Sequence, residues 1–177
     1  MRLIILYGPP AVGKLTIAEK LAAKTGYKIF QNNTTVRAIE PIFDFGTPKF
    51  FRTLAHIRLA LFEEAAQSDL HGLIFTFCFD PDVDEEFISE AIATVERGRG
   101  TVHLVQLTAP TPTLLERVEN ESRRTHGKIM EKESLQAIVN RYDFFTPYPF
   151  GESLTIDTSE MTAEEAVSKI IAKFGLG

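Results

Sequence analysis

The segment GPPAVGKLT at residues 8–16 constrains the fold more than any other part of the sequence. It follows RLIILY at 2–7, a run that is apolar on both faces, as a strand buried inside a sheet requires. The residues after it repeat at helical spacing in an apolar stripe formed by Leu15, Ala18, Leu21 and Ala22. Gly26 then predicts the C-terminal end of this helix. The pattern predicts a buried strand, a glycine-containing turn and an amphipathic helix in direct succession.

Strand and helix patterns continue to alternate along the chain. The apolar runs that predict strands are RLIILY (2–7), YKIF (27–30), GLIFTFCF (72–79), TVHLVQL (101–107) and SLTI (153–156). Asp80-Pro81 has the form of a helix cap followed by a first-turn proline, and Thr162 with Glu165 forms a capping box. The alternation predicts an α/β three-layer sandwich with a five-stranded, mainly parallel sheet, built as one domain of 177 residues.

Two stretches depart from this alternation. Residues 34–68 hold one long helical pattern after a turn that contains proline and glycine, and residues 117–143 are polar, basic and helical. Additions to an α/β fold usually lie over the carboxyl ends of the strands, where ligands bind. We therefore expect a helical substrate segment at about 32–68 and a basic lid at about 117–132.

Composition limits the cellular compartment and the kinds of partner that are expected. Hydrophobic residues make up 44% and charged residues 24% of the chain, as in ordinary globular domains. Cys78 is the only cysteine, which excludes an internal disulfide and fits a reducing compartment. The N-terminal apolar run is too short to span a membrane, so a cytoplasmic protein without a membrane partner is expected. The net charge of −5 argues against a broad surface for binding duplex nucleic acid but does not exclude a local basic patch. Nothing in the sequence indicates an oligomeric state.

The segment at 8–16 has the GxxxxGK spacing of a phosphate-binding loop, between the strand and the helix that such a loop needs. Backbone N–H groups of the loop would surround phosphate oxygens, and the N-terminus of the helix adds a partial positive charge. Gly8 and Gly13 permit the turn and a close approach, and Lys14 would reach the terminal phosphates. The alternative is a strand–turn–helix with an incidental lysine, which this context disfavours.

With this loop in this context, the chain resembles the P-loop small-molecule kinases. That group includes nucleoside-monophosphate kinases, shikimate and gluconate kinases, and chloramphenicol phosphotransferase. The resemblance covers nearly the whole chain and implies binding of ATP with Mg²⁺; ATP rather than GTP is only the habit of the group. The residues that it implies for nucleotide binding in the loop are Gly8, Pro9, Pro10, Ala11, Val12, Gly13, Lys14, Leu15 and Thr16.

One position of the loop departs from the group, which usually has a hydroxyl residue directly after the lysine as a ligand of magnesium. This chain has Leu15 there, followed by Thr16. By the same correspondence Thr16 keeps the contact with the α-phosphate, and the direct metal ligand is missing. Mg²⁺ tolerates this because it retains several waters and takes phosphate oxygens as ligands. The departure weakens the case for fast catalysis more than the case for nucleotide binding.

The tip of the second strand carries Gln31, Asn32 and Asn33, where shikimate-type relatives have acidic residues. Amides can orient an acceptor but cannot take its proton at neutral pH. Phosphoryl transfer requires little of a base, so this departure does not exclude it. The sequence leaves two interpretations of Asn32 and Asn33 open: contact with the acceptor, or a helix cap and turn.

A charged residue interrupts the apolar stripe of the long helical pattern. The stripe that the spacing predicts consists of Phe51, Leu54, Arg58, Leu61 and Ala65. A charge on such a stripe needs a partner, so Arg58 is a candidate for binding an anionic or polar group of the acceptor. The alternative is a stem that lies on the core and a head that reaches solvent. Arg52 and His56 are predicted to be exposed on another face.

Asp80 ends the third apolar run, at the place of a Walker-B-type acid. It could hold magnesium through water. The proline that follows it favours a helix cap instead. The sequence therefore predicts no direct metal ligand.

The basic stretch supplies candidate catalytic residues beside Lys14. Arginines on a lid stabilise the charge of a transferred phosphoryl group. By the resemblance, Arg123 and Lys128 would lie at the phosphates, with Arg124 as the alternate for Arg123 because the register is open. The alternative is an exposed helix face on which acidic residues alternate with these basic ones.

The resemblance also implies a site for the nucleotide base. Arg117, at the start of the basic stretch, would lie beside it, and the turn with Asp157 and Thr158 would pack against it. A plain turn between strand and helix explains the last two residues equally well.

Three functions are consistent with these features. The first is an enzyme that transfers the γ-phosphoryl group of ATP to a small molecule. The second is a nucleotide-binding protein with weak or no transfer activity, which Leu15 and the amide-rich strand tip favour. The third is a kinase of nucleic-acid ends, which the acidic balance of the chain disfavours. No motif identifies the acceptor.

Overall fold

The computed structural model describes residues 1–119 and 131–176. Its strands are β1 (Arg2–Tyr7), β2 (Lys28–Gln31), β3 (Gly72–Phe77), β4 (Thr101–Thr108) and β5 (Ser153–Asp157). They form a five-stranded sheet in the order β2-β3-β1-β4-β5, in which every neighbouring pair is parallel. The five predicted strands and the parallel sheet are confirmed.

Helices connect the strands and cover the sheet. In the described ranges they are α1 (Lys14–Thr25), α2 (Asn32–Ile39), α3 (Pro48–Gln67), α4 (Pro81–Arg97), α5 (Thr111–Arg117), α6 (Lys132–Arg141) and α7 (Ala163–Phe174). The predicted start signals are confirmed: Asp80 caps α4 by accepting the N–H of Asp82 at 3.0 Å, and Thr162 with Glu165 forms the capping box of α7. None of the helices in these ranges has the length and apolar character needed to cross a bilayer.

Two apolar clusters lie on opposite faces of the sheet. β1 contributes to both, because successive side chains of a strand point to opposite faces. Ile4 packs with Leu21 of α1 and the apolar face of α7, whereas Ile5 packs with Phe62 of α3 and the apolar face of α4. All four of these side chains are fully buried. The structure therefore has the predicted three layers.

The prediction for residues 34–68 is wrong in two details. The segment folds as two helices, α2 and α3, and the apolar face of α3 has a different register at its ends. The buried face consists of Phe50, Leu54, Arg58, Phe62 and Ala66. Phe51 and Leu61 are instead 38% and 46% exposed. Phe50-Phe51 and Leu61-Phe62 are adjacent apolar pairs, so the spacing fits either register, and packing against α2 and the sheet selects Phe50 and Phe62.

All strands of a parallel sheet end at the same edge. The segments that follow β1, β2, β3 and β5 therefore converge there, and they include the loop at 8–13 and the start of α2. This edge is where α/β folds bind their ligands.

Candidate active site

The loop between β1 and α1 has the backbone of a phosphate-binding nest. Gly8, Ala11 and Gly13 have φ values of 141°, 67° and 99°, a region that L-residues rarely adopt. A Cβ atom at Gly8 would lie 2.1 Å from the carbonyl oxygen of Leu107. Glycine is therefore required at position 8 by both conformation and space. Alternating left-handed and right-handed residues turn successive N–H groups toward one centre, which suits an anion.

The N-terminus of α1 opens onto the same loop. Gly13 occupies the cap position and provides no side-chain hydrogen bond, and the backbone bond from Ile17 N–H to the Gly13 carbonyl is 3.1 Å long. The partial positive charge of the helix end is thus directed at the loop without a capping side chain. The Lys14 ammonium donates to the carbonyl oxygens of Gly8 and Pro9, both at 2.7 Å, and lies 3.3 Å from Cys78 Sγ. Backbone N–H groups, a helix N-terminus and an ammonium group are the donors that can hold an anion such as phosphate.

The same end of α1 does not provide a metal site. Leu15 is half-buried and has no donor oxygen, and Thr16 is exposed. Across residues 1–119 and 131–176, no group of three or more His, Cys, Asp or Glu side chains is arranged to hold a metal ion. Asp80, with its side chain engaged in capping α4, is assigned to the cap as predicted. Any Mg²⁺ would depend on phosphate oxygens and water for its ligands.

Two of the residues predicted beside the nucleotide base are brought together. Arg117 donates through Nη1 to Thr158 Oγ1 at 2.9 Å and through Nη2 to the Thr158 carbonyl at 2.8 Å. Thr158 Oγ1 in turn lies 3.0 Å from the carbonyl oxygen of Val12 in the loop. Asp157 accepts hydrogen bonds from the side chain and backbone of Ser159, which hold its pKa below the usual range.

A cleft of about 1190 Å³ extends from the loop to the acceptor side of the molecule. Its walls include the start of α1, the β2 tip with Asn32 and Asn33, the inner faces of α3 and α4, and the Arg117–Thr158 pair. Residues predicted for phosphate, base and acceptor thus line one cavity, whereas the predicted Gly8, Pro9 and Asp157 are not part of its lining. Arg123, Arg124 and Lys128 lie outside the described residues.

Arg58 is 4% exposed and is held by protein partners. Its Nη2 donates to Asn32 Oδ1 at 2.5 Å, and its Nε donates to Thr35 Oγ1 at 3.0 Å. The guanidinium also lies over the rings of Phe77 and Phe87, at 5.4 and 5.7 Å from their centroids. Burial lowers the pKa of Arg58 to about 10, so the side chain remains charged at neutral pH. The alternative of a head that reaches solvent is therefore wrong, because α2 supplies the hydrogen-bonding partners. A contact between Arg58 and the acceptor stays a prediction.

Asp84, which was not predicted from the sequence, is a carboxylate of the cleft with a pKa suited to accepting a proton. It lies in the first turn of α4 and lines the cleft. Its Oδ2 accepts the Asp80 N–H at 3.0 Å. Burial raises its pKa to about 6, and the attraction of Arg58 partly opposes that rise. A signal was present in the sequence, because Asp84 extends the apolar stripe of Ile88, Ala91 and Val95 at helical spacing.

No protein-family model matches the chain, and no curated protein matches it. Several solved structures, in contrast, are similar to the chain. A sugar kinase from Janibacter sp. HTCC2649 has 14% identity and a TM-score of 0.73, covering 100% of this chain and 96% of its own. The shikimate kinase of Acinetobacter baumannii, solved with shikimate, has 20% identity and a TM-score of 0.61, with 97% and 92% covered. A gluconokinase from Sinorhizobium meliloti has 15% identity and a TM-score of 0.64, with 97% and 89% covered. The chain has the fold of these P-loop small-molecule kinases.

Proposed function

We propose that this chain, which has the fold of the P-loop small-molecule kinases, is a phosphotransferase that moves the γ-phosphoryl group of ATP to a small molecule. One observation carries the proposal. The phosphate-binding nest, with Lys14 and an uncapped helix end, opens into the same cleft as a separate set of polar and apolar side chains. A protein that only held a nucleotide would not need that second half of the cleft.

In this proposal the loop from Gly8 to Thr16 cradles the phosphates. Lys14 would exchange its two carbonyl contacts for oxygens of the β- and γ-phosphates. The Arg117–Thr158 pair, with Asp157 beside it, would form the edge of the base site. Arg123 and Lys128 are proposed to stabilise the charge of the transferred group from the lid.

The acceptor side is assigned to the strand tip. Asn32 and Asn33 line the cleft and carry amides that can orient a hydroxyl. Arg58 contributes by holding Asn32, because its guanidinium already donates to the Asn32 side chain. Arg58 is thus proposed as a positioning residue and not as the ligand of a negatively charged acceptor.

Leu15 supports a second candidate, a nucleotide-binding protein with weak or no transfer activity. A leucine in place of a hydroxyl removes a direct magnesium ligand. Asp84 favours transfer over this alternative, because a pure nucleotide sensor has no use for a carboxylate in the acceptor half of the cleft.

The proposal is tested by binding and by turnover. Calorimetry of Lys14→Ala should show ATP affinity reduced at least about tenfold, since the lysine supplies a charge-assisted contact to phosphate. Lys24→Ala, an exposed change at the other end of α1, is the matched control and should bind as the parent does.

Turnover is measured as ADP release in the presence of a panel of hydroxyl compounds. Stimulation by one compound, abolished in Lys14→Ala, supports the phosphotransferase. Tight ATP binding without stimulation by any compound supports the second candidate, and equal ATP affinity in Lys14→Ala and the parent contradicts both.

A further inference from the structure

The half of the cleft away from the loop has an unusual lining, and we call this part the acceptor pocket. It is formed by Phe45, Phe50, Phe51, Val83, Asp84 and Phe87. Three of these rings touch one another, with centroid distances of 5.1 Å between Phe45 and Phe50 and 5.6 Å between Phe50 and Phe51. Phe45 is 65% exposed and Val83 51% exposed. Exposed apolar side chains grouped in a cavity mark a site for an apolar ligand.

The charges around the acceptor pocket do not favour an anionic acceptor. In the described ranges, the cleft away from the phosphate loop and the base edge is lined by three arginines and four carboxylates: Arg52, Arg58, Arg141, Asp80, Asp84, Glu86 and Glu90. The buried member, Arg58, already donates to Asn32 and Thr35. Among the described residues, a carboxylate or phosphate on the acceptor would therefore meet no surplus of positive charge to compensate for its lost hydration.

Among the six residues that form the acceptor pocket, Asp84 offers a side-chain oxygen to a ligand. Asp84 Oδ2 accepts the Asp80 N–H, and the described residues make no hydrogen bond to Oδ1. No buried side-chain nitrogen or oxygen in those residues lacks a partner, so Oδ1 must reach accessible space. An acceptor oxygen is the partner that this geometry suits. The pKa of about 6 leaves Asp84 mostly ionised at neutral pH and able to take a proton.

We propose that the acceptor is an uncharged hydroxyl compound with an apolar, ring-sized framework, which packs on the phenylalanines of the acceptor pocket and directs its hydroxyl to Asp84 Oδ1. This inference rests on the proposed phosphotransferase function. The apolar wall provides affinity, and Asp84 Oδ1 orients the reacting group.

The proposed reaction transfers the γ-phosphoryl group of ATP to the acceptor hydroxyl. The acceptor oxygen forms a bond to the γ-phosphorus of ATP, the bond between that phosphorus and the β,γ-bridging oxygen breaks, and ADP leaves. The hydroxyl proton passes to Asp84 Oδ1 and is later released to water. The products are the phosphate monoester of the alcohol, ADP and a proton.

The first experiment compares two acceptor panels of similar size in the presence of ATP. One holds cyclic and aromatic alcohols, and the other holds polyols, hydroxy acids and phosphate-bearing alcohols. ADP release is measured for both panels, and binding is measured in parallel by ligand-observed NMR with ADP present. We expect both signals from the apolar panel.

Variants then connect those signals to the acceptor pocket. Phe45→Ser and Phe51→Ser should each raise the KM of the apolar acceptor about tenfold with little change in ATP affinity. Phe150→Ser, which changes a phenylalanine outside the cleft that is about as exposed as Phe45, is the control. Asp84→Asn should lower kcat by about tenfold to a hundredfold at unchanged ATP affinity, whereas Glu85→Gln should not.

The outcomes separate the two levels of the proposal. Turnover of polyols or hydroxy acids alone overturns the apolar acceptor and leaves the phosphotransferase standing. Absence of both binding and turnover across the apolar panel, while ATP binds, also overturns the inference. Failure of ATP to bind at all rejects the proposed function itself.

Discussion

Arg117 and Thr158 lie 41 residues apart and are joined by two hydrogen bonds, one to the hydroxyl and one to the carbonyl of the threonine. The same hydroxyl contacts the Val12 carbonyl of the loop and, at 3.2 Å, the Thr108 carbonyl at the end of β4. Three segments that meet at the edge of the sheet are thus connected through one side chain. The edge of the proposed base site is therefore connected by hydrogen bonds to the proposed phosphate site.

Replacing Arg117 should affect recognition of the nucleotide base and not of the phosphates. We expect Arg117→Ala to weaken ATP binding about tenfold, since two charge-assisted hydrogen bonds and a planar cation beside the base are lost. Inorganic triphosphate, measured by the same calorimetry, should bind as it does to the parent. Arg97→Ala, which removes an arginine bonded to Thr94 outside the cleft, is the control. An equal loss for both ligands would place Arg117 at the phosphates instead.

Adding a methyl group to the first glycine of the loop should be strongly destabilising. Gly8→Ala combines backbone strain with a contact of 2.1 Å to the Leu107 carbonyl. We expect a loss of about 2–5 kcal/mol in the free energy of unfolding. Gly26→Ala is the matched control, because it has φ of 72° and open space around the new atom, and it should cost about 1–2 kcal/mol. Urea denaturation measures both, and similar losses would mean that the close contact relaxes without cost.

The carboxyl of Asp84 should make stability depend on pH. Its pKa rises from 3.8 to about 6 on folding, so between these values the native protein binds more protons than the unfolded chain. The free energy of unfolding therefore falls as pH rises through this window. Asp84→Asn removes the effect, and we expect the variant to match the parent near pH 4 and to exceed it by roughly 1–3 kcal/mol above pH 7. A constant difference across the range would contradict this assignment.

Replacing Arg58 should destabilise the connection between α2 and α3. Arg58→Met keeps most of the apolar stem and leaves Asn32 and Thr35 without their donor. We expect a loss of about 2–4 kcal/mol, against less than about 0.5 kcal/mol for exposed Arg52→Met. The pKa of Asp84, followed by NMR, should also rise above about 6 because Arg58 lowers it in the parent. An unchanged pKa would show that the two charges do not interact.

Local patterns were sufficient to predict the sheet and the glycine-containing loop between β1 and α1. The apolar runs, the GxxxxGK spacing and the Thr162–Glu165 capping box each depend on residues close in sequence, and the structure has all of them. The register of α3 could not be read in this way. Phe50 and Phe51 are chemically identical neighbours, and only the packing of α3 on α2 decides which is buried.

Asp84 was missed for a related reason. Arg58 is predicted from its place on an apolar stripe, and Asp84 has the same relation to the stripe of α4, where it precedes Ile88 by four residues. Two opposite charges on the apolar faces of helices that pack together are each other's natural partners. That α3 and α4 are such a pair is a property of the fold and cannot be seen in either helix alone.

The helical segment that forms one wall of the acceptor pocket has a small core of its own, built from Ile39, Phe50 and Leu54. This core is separate from the clusters that hold the sheet and the phosphate loop. Selection can therefore exchange side chains of the proposed acceptor pocket while the proposed nucleotide site stays intact. Such an arrangement makes this wall the natural place for new specificities to evolve, and for a designer to graft them.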